Sequence, residues 1–329
     1  MIGERTLTEE TVIVGQFRFG TGETLGSMNV HYRTLGSPKG RPVLLVHGTP
    51  GTGASFLRPG FANAMFGSGQ PLDLDRYFVI LPDAIGLGSS SKPSDGLRAR
   101  FPRYDLRDMV AALRCLVRDH LGIDRLHLLM GDSMGGMVAW EWAVTHPEDM
   151  TALVPMACLP VAVAGRNRMM RRMLIDAVRD DPAWREGNYE VQPPGLARAQ
   201  AWFDMATAGG EKRLRALCPT NEAADAEVDR RKREASPADA NDMMYRWNAT
   251  RNYDPSGRLE RVRARVLTIL SEDDERNPPI LDVLDNALAP IPHAESYIIP
   301  ATDETMGHLT TGSQAHLYAE RLGRFLDAI

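Results

Sequence analysis

The chain has 329 residues, 43% of them hydrophobic and 25% charged, and its formal net charge is −5. A chain of this length and composition can bury a substantial core, and its mild acidity gives no general attraction to nucleic acid or to an anionic membrane. The first twenty residues contain no apolar segment typical of a signal peptide, and no apolar run reaches the about 18 residues that cross a bilayer, so we expect a cytoplasmic protein without a membrane or nucleic-acid partner.

Apolar segments alternate with segments of helical periodicity along most of the chain. Residues 11–19 and 28–34 alternate polar and apolar side chains, which is typical of half-buried antiparallel strands. Six later runs are continuously apolar, as parallel strands buried on both faces are: 43–47, 77–81, 126–130, 153–157, 266–270 and 296–299. Apolar spacings of three and four predict helices over 105–121, 135–146, 280–289 and 314–328. This order predicts an α/β fold with a mainly parallel, doubly wound sheet.

The alternation stops between residues 161 and 255. This stretch is charged and strand-free in its pattern, has apolar residues at helical spacing, and includes a basic segment at residues 166–172. No Gly/Ser-rich linker flanks it, which disfavours the alternative of a separate domain on a linker. We therefore predict a core formed by residues 1–160 and 256–329, with residues 161–255 inserted as a helical lid over the sheet.

A nucleophilic serine is indicated by the segment Gly131-Asp132-Ser133-Met134-Gly135, between a predicted strand and a predicted helix. In this G-x-S-x-G pattern, a sharp turn holds the serine backbone in a strained conformation, and side chains at the glycine positions would clash with the neighbouring strand and helix. The serine oxygen then stands at the positive end of the following helix. The alternative is that Ser133 only caps that helix.

A serine hydroxyl needs a base, and in a doubly wound sheet the site forms at the carboxyl ends of the strands. His308 follows the last predicted strand through a short loop and is the candidate base, the alternative being a solvated loop histidine. The imidazole in turn needs an acceptor that fixes its tautomer. The loop after residues 266–270 holds four consecutive acids, and spacing alone leaves both Asp273 and Asp274 open as that acceptor.

A candidate oxyanion hole follows the predicted strand 43–47, where the chain reads His47-Gly48-Thr49-Pro50-Gly51. A backbone N–H of such a loop can bind a developing oxyanion together with the N–H of the residue after the nucleophile. We predict Thr49 and Met134 as the two donors, and the loss of one such donor typically raises the barrier by ~2.7–4 kcal/mol. His47 is interpreted as a structural residue whose ring hydrogen bonds shape this loop.

These motifs resemble those of the α/β-hydrolases, and more narrowly those of the homoserine O-acetyltransferase family and its hydrolase-like relatives. The likeness extends over about residues 28–329 and is carried by the segments 32–36, 131–137, 141–143, 181–194, 274–279 and 307–308. In that family an aspartate stands four residues before a proline pair, so the resemblance favours Asp274 as the acid. The order Ser133, Asp274, His308 is also that of the family. A homodimer through the lid is implied by the resemblance alone.

Two departures from the transferases favour the hydrolase-like branch. The oxyanion loop has Gly48-Thr49-Pro50 where the transferases usually carry an Ala-Leu-Thr type segment, and this loop is similar to those of ordinary hydrolases. Val138 stands where a glutamine is common in the transferases. We therefore expect a serine hydrolase that cleaves a small-molecule carboxylic ester, or a similar acyl compound, through an acyl-enzyme on Ser133.

Two other functions stay open at this point. An O-acyltransferase would use the same acyl-enzyme, with acetyl-CoA as donor and an alcohol such as homoserine in place of water. A non-catalytic ligand receptor on the same fold is the more remote alternative. The three cysteines are too few and too scattered for a zinc site, and no nucleotide-binding loop is present in the sequence, so we expect no metal and no cofactor.

Methionine is abundant, with 16 residues, and eight of them lie between Met130 and Met173. Methionine side chains are flexible and fill irregular apolar space. Those near the predicted nucleophile and at the start of the predicted lid therefore suggest an apolar acyl pocket between the two. Its predicted lining is Met137, Met169, Met170 and Met173.

Overall fold

An eight-stranded sheet forms the centre of the protein, in a computed structural model that describes residues 7–207, 209–235, 237–279 and 283–329. The strands are β1 (Thr8–Arg18), β2 (Thr24–Leu35), β3 (Arg41–Val46), β4 (Tyr77–Pro82), β5 (Leu126–Asp132), β6 (Met150–Met156), β7 (Arg265–Ser271) and β8 (Ala294–Ile299). Their order in the sheet is β1-β2-β4-β3-β5-β6-β7-β8. All eight predicted strands are present.

The sheet is antiparallel at one edge and parallel elsewhere. Strand β2 pairs antiparallel with β1 and β4, and every other pairing is parallel. Strand β4 is buried along its whole length because helices cover both faces of the parallel part. The prediction of a mainly parallel α/β fold is therefore confirmed, as is the antiparallel character of the two alternating N-terminal strands.

Helices flank the sheet and fill the stretch between β6 and β7. They are α1 (Pro59–Met65), α2 (Leu106–Arg114), α3 (Met134–Thr145), α4 (Gly165–Arg179), α5 (Pro194–Met205), α6 (Gly210–Leu217), α7 (Asn221–Arg233), α8 (Ala240–Ala249), α9 (Val283–Leu288), α10 (Thr310–Ser313) and α11 (Ala319–Asp327). One apolar cluster joins α2 and α3 to one face of the sheet, and a second joins α1 and α11 to the other face. Among the described residues, no helix is long and apolar enough to span a bilayer.

Two predicted helices differ from the structure. The helix predicted over 105–121 ends as α2 at Arg114 and continues as a wider π-type turn over Cys115–His120. The helix predicted over 314–328 begins only at Ala319, because Gln314 and Tyr318 have non-helical backbone angles. Apolar spacing cannot separate one continuous helix from successive turns. The start of the helix predicted over 280–289 lies outside the described residues.

The helices α4–α8 form the segment that was predicted to interrupt the sheet, and its described residues contain no strand. They enclose an apolar cluster of their own, with Leu174, Phe203 and Trp247 almost fully buried. This helical insertion contacts loops that follow four strands. Arg246 bonds to the loop after β4, Tyr253 to the loop after β6, and Phe203 packs on Arg276 after β7. Gly209 donates its N–H to Met306 after β8. The insertion therefore covers the edge of the sheet where the strands end at their carboxyl termini.

Candidate active site

Ser133 occupies the sharp turn between β5 and α3. Its backbone has φ 53° and ψ −113°, a conformation that L-residues seldom adopt. Its N–H donates to the carbonyl of Met156 on the neighbouring strand, which anchors the turn. The side chain makes no capping hydrogen bond to α3; instead Oγ lies 2.9 Å from Nε2 of His308. The turn thus presents the hydroxyl to the histidine rather than to the helix backbone.

The glycines around Ser133 allow backbones to approach closely. A Cβ atom on Gly135 would lie 1.9 Å from the carbonyl oxygen of Val46 on β3. A Cβ atom on Gly131 would lie 2.2 Å from the carbonyl oxygen of Gly135. Both contacts involve backbone atoms, which cannot rotate away as a flexible side chain could. The turn therefore requires glycine at both positions.

We expect Gly135→Ala to lower the free energy of unfolding by about 3 kcal/mol, because the new methyl group would force β3 and α3 apart. Urea unfolding followed by circular dichroism measures this change. Gly257→Ala is the matched control: a Cβ atom there meets nothing within 4 Å, so a change within about 0.5 kcal/mol is expected. Equal stability of the two variants would contradict the tight packing of the turn.

His308 links Ser133 to a buried carboxylate. Its Nδ1 lies 3.0 and 3.1 Å from the two carboxylate oxygens of Asp274, and both side chains are buried. A carboxylate only accepts, so Nδ1 carries the proton and Nε2 is left to accept the proton of Ser133. The structure therefore brings the three predicted catalytic residues Ser133, His308 and Asp274 into one hydrogen-bonded chain.

The carboxylate of Asp274 is held ionised by its surroundings. Burial by itself would raise its pKa, but the charge and hydrogen bond of His308 and the N–H groups of Arg276 and Asn277 together hold the pKa below its ordinary value. The N–H of Arg276 donates to Oδ1 at 2.8 Å and that of Asn277 at 3.0 Å. Hydrogen bonds to the charged form favour that form. Asp274 is therefore a carboxylate throughout the neutral pH range.

The neighbouring acids have other partners. Asp273 accepts hydrogen bonds from Thr305 and from the N–H of Gly307, so it shapes the loop that carries His308. Glu275 accepts the N–H of His308 itself at 2.9 Å. Of the two aspartates that spacing left open, Asp274 is the one in contact with the imidazole, as the resemblance favoured. The acid-rich loop thus holds both the ring and the backbone of the histidine.

Two residues contribute to the site without having been predicted: Asn277, which is buried, and Asp132, which is partly buried. Asn277 donates from Nδ2 to the carbonyl of Ala157 at 2.9 Å, which ties the acid loop to the end of β6. Asp132, which precedes the nucleophile, accepts the hydroxyl of Thr311 at 2.6 Å and so connects the serine turn to the segment after His308. Burial raises the pKa of Asp132. The partners of each residue lie far away in the chain, so no spacing in the sequence predicts these contacts. The one local signal for Asp132 is that it is an acid inside the G-x-S-x-G segment.

The predicted oxyanion-hole residues lie against the serine turn. A Cβ atom on Gly48 would be 3.4 Å from Cβ of Ser133, so the loop before Thr49 touches the nucleophile. Within the described residues, the backbone N–H groups of Thr49 and Met134 have no hydrogen-bond acceptor. Thr49 is buried, and an N–H without a partner in a buried loop is costly unless a ligand satisfies it. Both N–H groups are free to bind an anionic oxygen.

The ring of His47 forms hydrogen bonds within the loop before Thr49, in line with its interpretation as a structural residue. Its Nε2 accepts the N–H of Ala84 at 3.1 Å, and its Nδ1 lies 2.9 Å from the carbonyl oxygen of Gly48. Burial lowers the pKa of His47, which keeps the ring neutral. Asp83, beside it, accepts the N–H of Gly53 at 2.8 Å and supports the same loop from the other side. The loop is therefore held by the backbone N–H of Ala84 and the side chain of Asp83, which directly follow β4.

The predicted pocket methionines lie in two neighbouring cavities. Met169, Met170 and Met173 line a cavity of about 560 Å³ in the helical insertion. Met137 is not among the described residues of that lining; it lines a cavity of about 490 Å³ beside the start of α3. The four methionines thus line two cavities that share Arg166, Asn167, Glu275 and Arg276, and the acyl pocket stays a prediction.

The methionines of the helical insertion differ in how exposed their side chains are. Met169 and Met173 are 67% and 44% exposed, whereas Met170 is 8% exposed. Glu275 and Arg276 line both cavities and stand between them. Among the described residues, no group of three His, Cys, Asp or Glu side chains could hold a metal ion. The described charged groups that line the two cavities are Glu275 and Arg276 of the acid loop, Arg166 of α4 and Glu211 of α6.

Comparisons with known proteins agree with this fold. A family model of the alpha/beta hydrolase fold matches residues 41–306. The chain is 34% identical over 219 residues to a homoserine O-acetyltransferase of Geotalea daltonii, a match that covers 61% of this chain but only 58% of that relative. A homoserine O-acetyltransferase from Bacillus anthracis has a TM-score of 0.86 and 25% identity, with 98% of both chains covered.

A hydrolase is equally similar in fold. An acetylester hydrolase from Corynebacterium glutamicum has a TM-score of 0.82, covering 97% of this chain and 96% of that chain. Its identity of 22% makes this a likeness of fold alone. Proteins named as transferases and as hydrolases thus share the architecture, and the fold does not choose between them.

Proposed function

The chain belongs to the α/β-hydrolase fold family, and from this premise we propose that it is a serine hydrolase acting on a carboxylic ester or a similar acyl compound. The observation that carries the proposal is the chain of hydrogen bonds from Ser133 Oγ through the His308 ring to Asp274. A nucleophile, a base and an orienting acid in contact are the parts that acyl transfer needs. The family makes the protein an enzyme of the α/β-hydrolase superfamily; the reaction that follows is our proposal.

The proposed reaction begins when His308 Nε2 removes the hydroxyl proton of Ser133 as Oγ attacks the ester carbonyl. The carbonyl oxygen becomes an anion and accepts hydrogen bonds from the free N–H groups of Thr49 and Met134. Asp274 stabilises the imidazolium, which then gives its proton to the leaving alcohol as the acyl–oxygen bond breaks. Water, deprotonated by the same imidazole, releases the acyl group from Ser133. In this proposal the helical insertion acts as the lid over the acyl-enzyme.

A second candidate is an O-acyltransferase that passes the acyl group to an alcohol instead of water. The name of the Geotalea relative favours it, and the same acyl-enzyme would serve. The two functions differ only in what attacks the acyl-enzyme, which depends on how well the lid excludes water and binds an acceptor.

Two assays on one preparation distinguish the candidates. The first measures hydrolysis of a short-chain 4-nitrophenyl ester; the second measures thiol release from acetyl-CoA with and without homoserine. We expect ester hydrolysis that needs no acceptor, and no increase in thiol release when homoserine is added. Thiol release that depends on homoserine would overturn the hydrolase in favour of the transferase. Absence of both activities would favour a non-catalytic receptor.

We expect the insertion methionines to influence which acyl chains are accepted. Replacing Met169, Met170 and Met173 together by leucine should shift the preference among 4-nitrophenyl esters of two to eight carbons by about 3- to 10-fold, because a branched side chain fills this cavity differently. The measurement is kcat/KM along the ester series. Met109→Leu, in the core cluster, is the matched control. An unchanged profile in the triple variant would remove this cavity from the acyl pocket.

A further inference from the structure

Arg276 carries a partly buried positive charge between the two cavities beside the candidate active site. It follows Asp274 by two residues, and its backbone N–H is one of the donors to that acid. Its side chain lines both the cavity of about 560 Å³ and the cavity of about 490 Å³. The second of these also includes Met137, one turn along α3 from Ser133, and Asn277, whose side chain donates to Asp274. Its lining therefore comes close to the catalytic residues from two sides.

The partners of this guanidinium are uncharged. Nε donates to the carbonyl of Ala206 at 3.2 Å, Nη2 lies 3.6 Å from Sδ of Met170, and the group stacks 4.6 Å from the centre of the Phe203 ring. The described residues place no carboxylate within 4 Å of it. Burial lowers the pKa of Arg276 to about 10. Even partial burial of a guanidinium without an ionic partner has a cost in free energy, which points to an anion that is supplied from outside the chain.

The nearby carboxylates are already engaged or lie further away. Asp274 is bonded to His308, and Glu275 accepts the N–H of His308. Asp204 is close enough to act on the charge of Arg276 but forms no ion pair with it among the described contacts. These three carboxylates reduce the positive charge around Arg276. They form no hydrogen bond with its guanidinium, whose N–H groups therefore remain able to bind a ligand in the cavities.

Further positive charge surrounds the same cavities. Arg171 on α4 is fully buried, and burial together with the charges of Arg276 and Arg168 lowers its pKa to about 9. Its contacts are the side-chain oxygen of Asn167 and the carbonyl of Trp247. Arg166 lines both cavities, as Arg276 does. The larger cavity also contains the carboxylates of Glu211 and Glu275. In the described lining of the smaller cavity, Arg166 and Arg276 face one carboxylate, that of Glu275, so its net positive charge favours an anionic ligand over a neutral one.

We propose that Arg276 binds a carboxylate carried by the substrate, so that the preferred substrates are esters with a carboxylate a few bonds from the scissile carbonyl. The planar guanidinium suits a carboxylate because it can donate two parallel hydrogen bonds, and stacking on Phe203 holds its plane in place. This inference rests on the proposed hydrolase function, which it deepens by naming a substrate class. The carboxylate can belong to the acyl part or to the alcohol part of the ester.

The test compares esters that differ only in charge. On the acyl side, the pair is the 4-nitrophenyl monoester of glutarate and its carboxamide analogue; on the alcohol side, it is 4-acetoxybutanoate and 4-acetoxybutanamide. We expect kcat/KM to favour the charged member of at least one pair by about 10- to 100-fold, and Arg276→Met to abolish this ratio. The pair that shows the ratio identifies the part of the ester that carries the carboxylate.

Arg166→Met is the matched control, since it removes the same charge from the same two cavities at an exposed position. Arg166→Met should keep most of the preference in kcat/KM for the charged ester over its neutral analogue. If both variants lost this preference equally, the electric field of all the positive charges around the cavities, and not contact with Arg276, would select the anion. A wild-type ratio near one in both pairs would overturn the proposal. Failure of the wild-type protein to hydrolyse any of the four esters would instead count against the hydrolase function.

A second measurement covers the case in which Arg276→Met does not fold. Glutarate and glutaramide are compared as competitive inhibitors of neutral ester hydrolysis by the wild-type protein. We expect glutarate to bind about 10-fold more tightly or better, and this difference to shrink as salt is added, because ions screen the guanidinium. Equal inhibition by the two compounds would overturn the carboxylate site.

Discussion

Ser133→Ala is expected to lower kcat for ester hydrolysis by about 10⁴- to 10⁶-fold, with the fold retained. The substitution removes the oxygen that lies 2.9 Å from the His308 ring, and nothing else in the site. Catalysis that remains would come from binding and from the free N–H groups of Thr49 and Met134. Initial rates with a 4-nitrophenyl ester measure the loss, and circular dichroism with thermal unfolding measures the fold.

Ser256→Ala provides the control for this variant. Ser256 lies at an exposed position, bonded only to Asp254, and its loss should leave the rate unchanged. If Ser133→Ala kept its turnover within about tenfold of the wild-type protein, the serine nucleophile would be wrong. Labelling of the wild-type protein by a fluorophosphonate probe, and its absence in Ser133→Ala, gives an independent readout that does not depend on the choice of ester.

Asp274→Asn is expected to lower kcat by about 10⁴-fold, because an amide can donate to Nδ1 of His308 and so favour the wrong tautomer. The shape of the side chain is nearly unchanged, and its oxygen can still accept the N–H groups of Arg276 and Asn277. The amide nitrogen, however, would then face Nδ2 of Asn277, which is also a donor. Some loss of stability is therefore expected together with the loss of rate. Rates and urea unfolding measured on the same preparation separate the two effects.

Asp273→Asn is the matched comparison, one residue away in the same acid-rich loop. Its carboxylate bonds to Thr305 and Gly307 and does not contact the imidazole. We expect a loss of rate of about tenfold or less, since only the shape of the loop that carries His308 is affected. A larger loss of kcat in Asp273→Asn than in Asp274→Asn would reverse the assignment of the acid.

The two variants should also respond differently to acid. The pKa of Asp274 is held below its ordinary value in the folded protein, so its ionised form contributes stability above the pKa of the unfolded chain. That contribution is lost as the pH falls through the folded pKa. Asp274→Asn removes it, and the stability of this variant should therefore fall less steeply below about pH 4 than that of the wild-type protein.

Much of the architecture could be predicted from local pattern. Six of the eight strands follow from continuous apolar runs, because a strand buried on both faces is apolar along its length. The strands β1 and β2 follow from alternating polar and apolar residues. The serine turn follows from Gly131, Ser133 and Gly135, because only glycine permits the backbone contacts found there. His308 follows from its place after the last strand. In each case the signal lies within a few consecutive residues.

Helix boundaries and the pocket could not be predicted in the same way. Helical spacing continued through Gln314 and Tyr318, although the backbone turns away at both. The four methionines were assigned to one pocket because they are flexible and apolar, yet the structure separates Met137 from the other three. Which apolar side chains share a cavity depends on how α4 and α5 pack, and composition contains no information about that.

The sequence by itself determined the fold class and identified Ser133 and His308 as the candidate nucleophile and base, since each depends on short-range backbone geometry that a few residues impose. Only the tertiary structure decided which acid faces the imidazole, which N–H groups are free, and where the charge of Arg276 lies. The physical reason is that these properties depend on distances between segments far apart in the chain. Asp274 and His308 are 34 residues apart, and Ser133 and His308 are 175 apart, so their contact exists only in the folded protein.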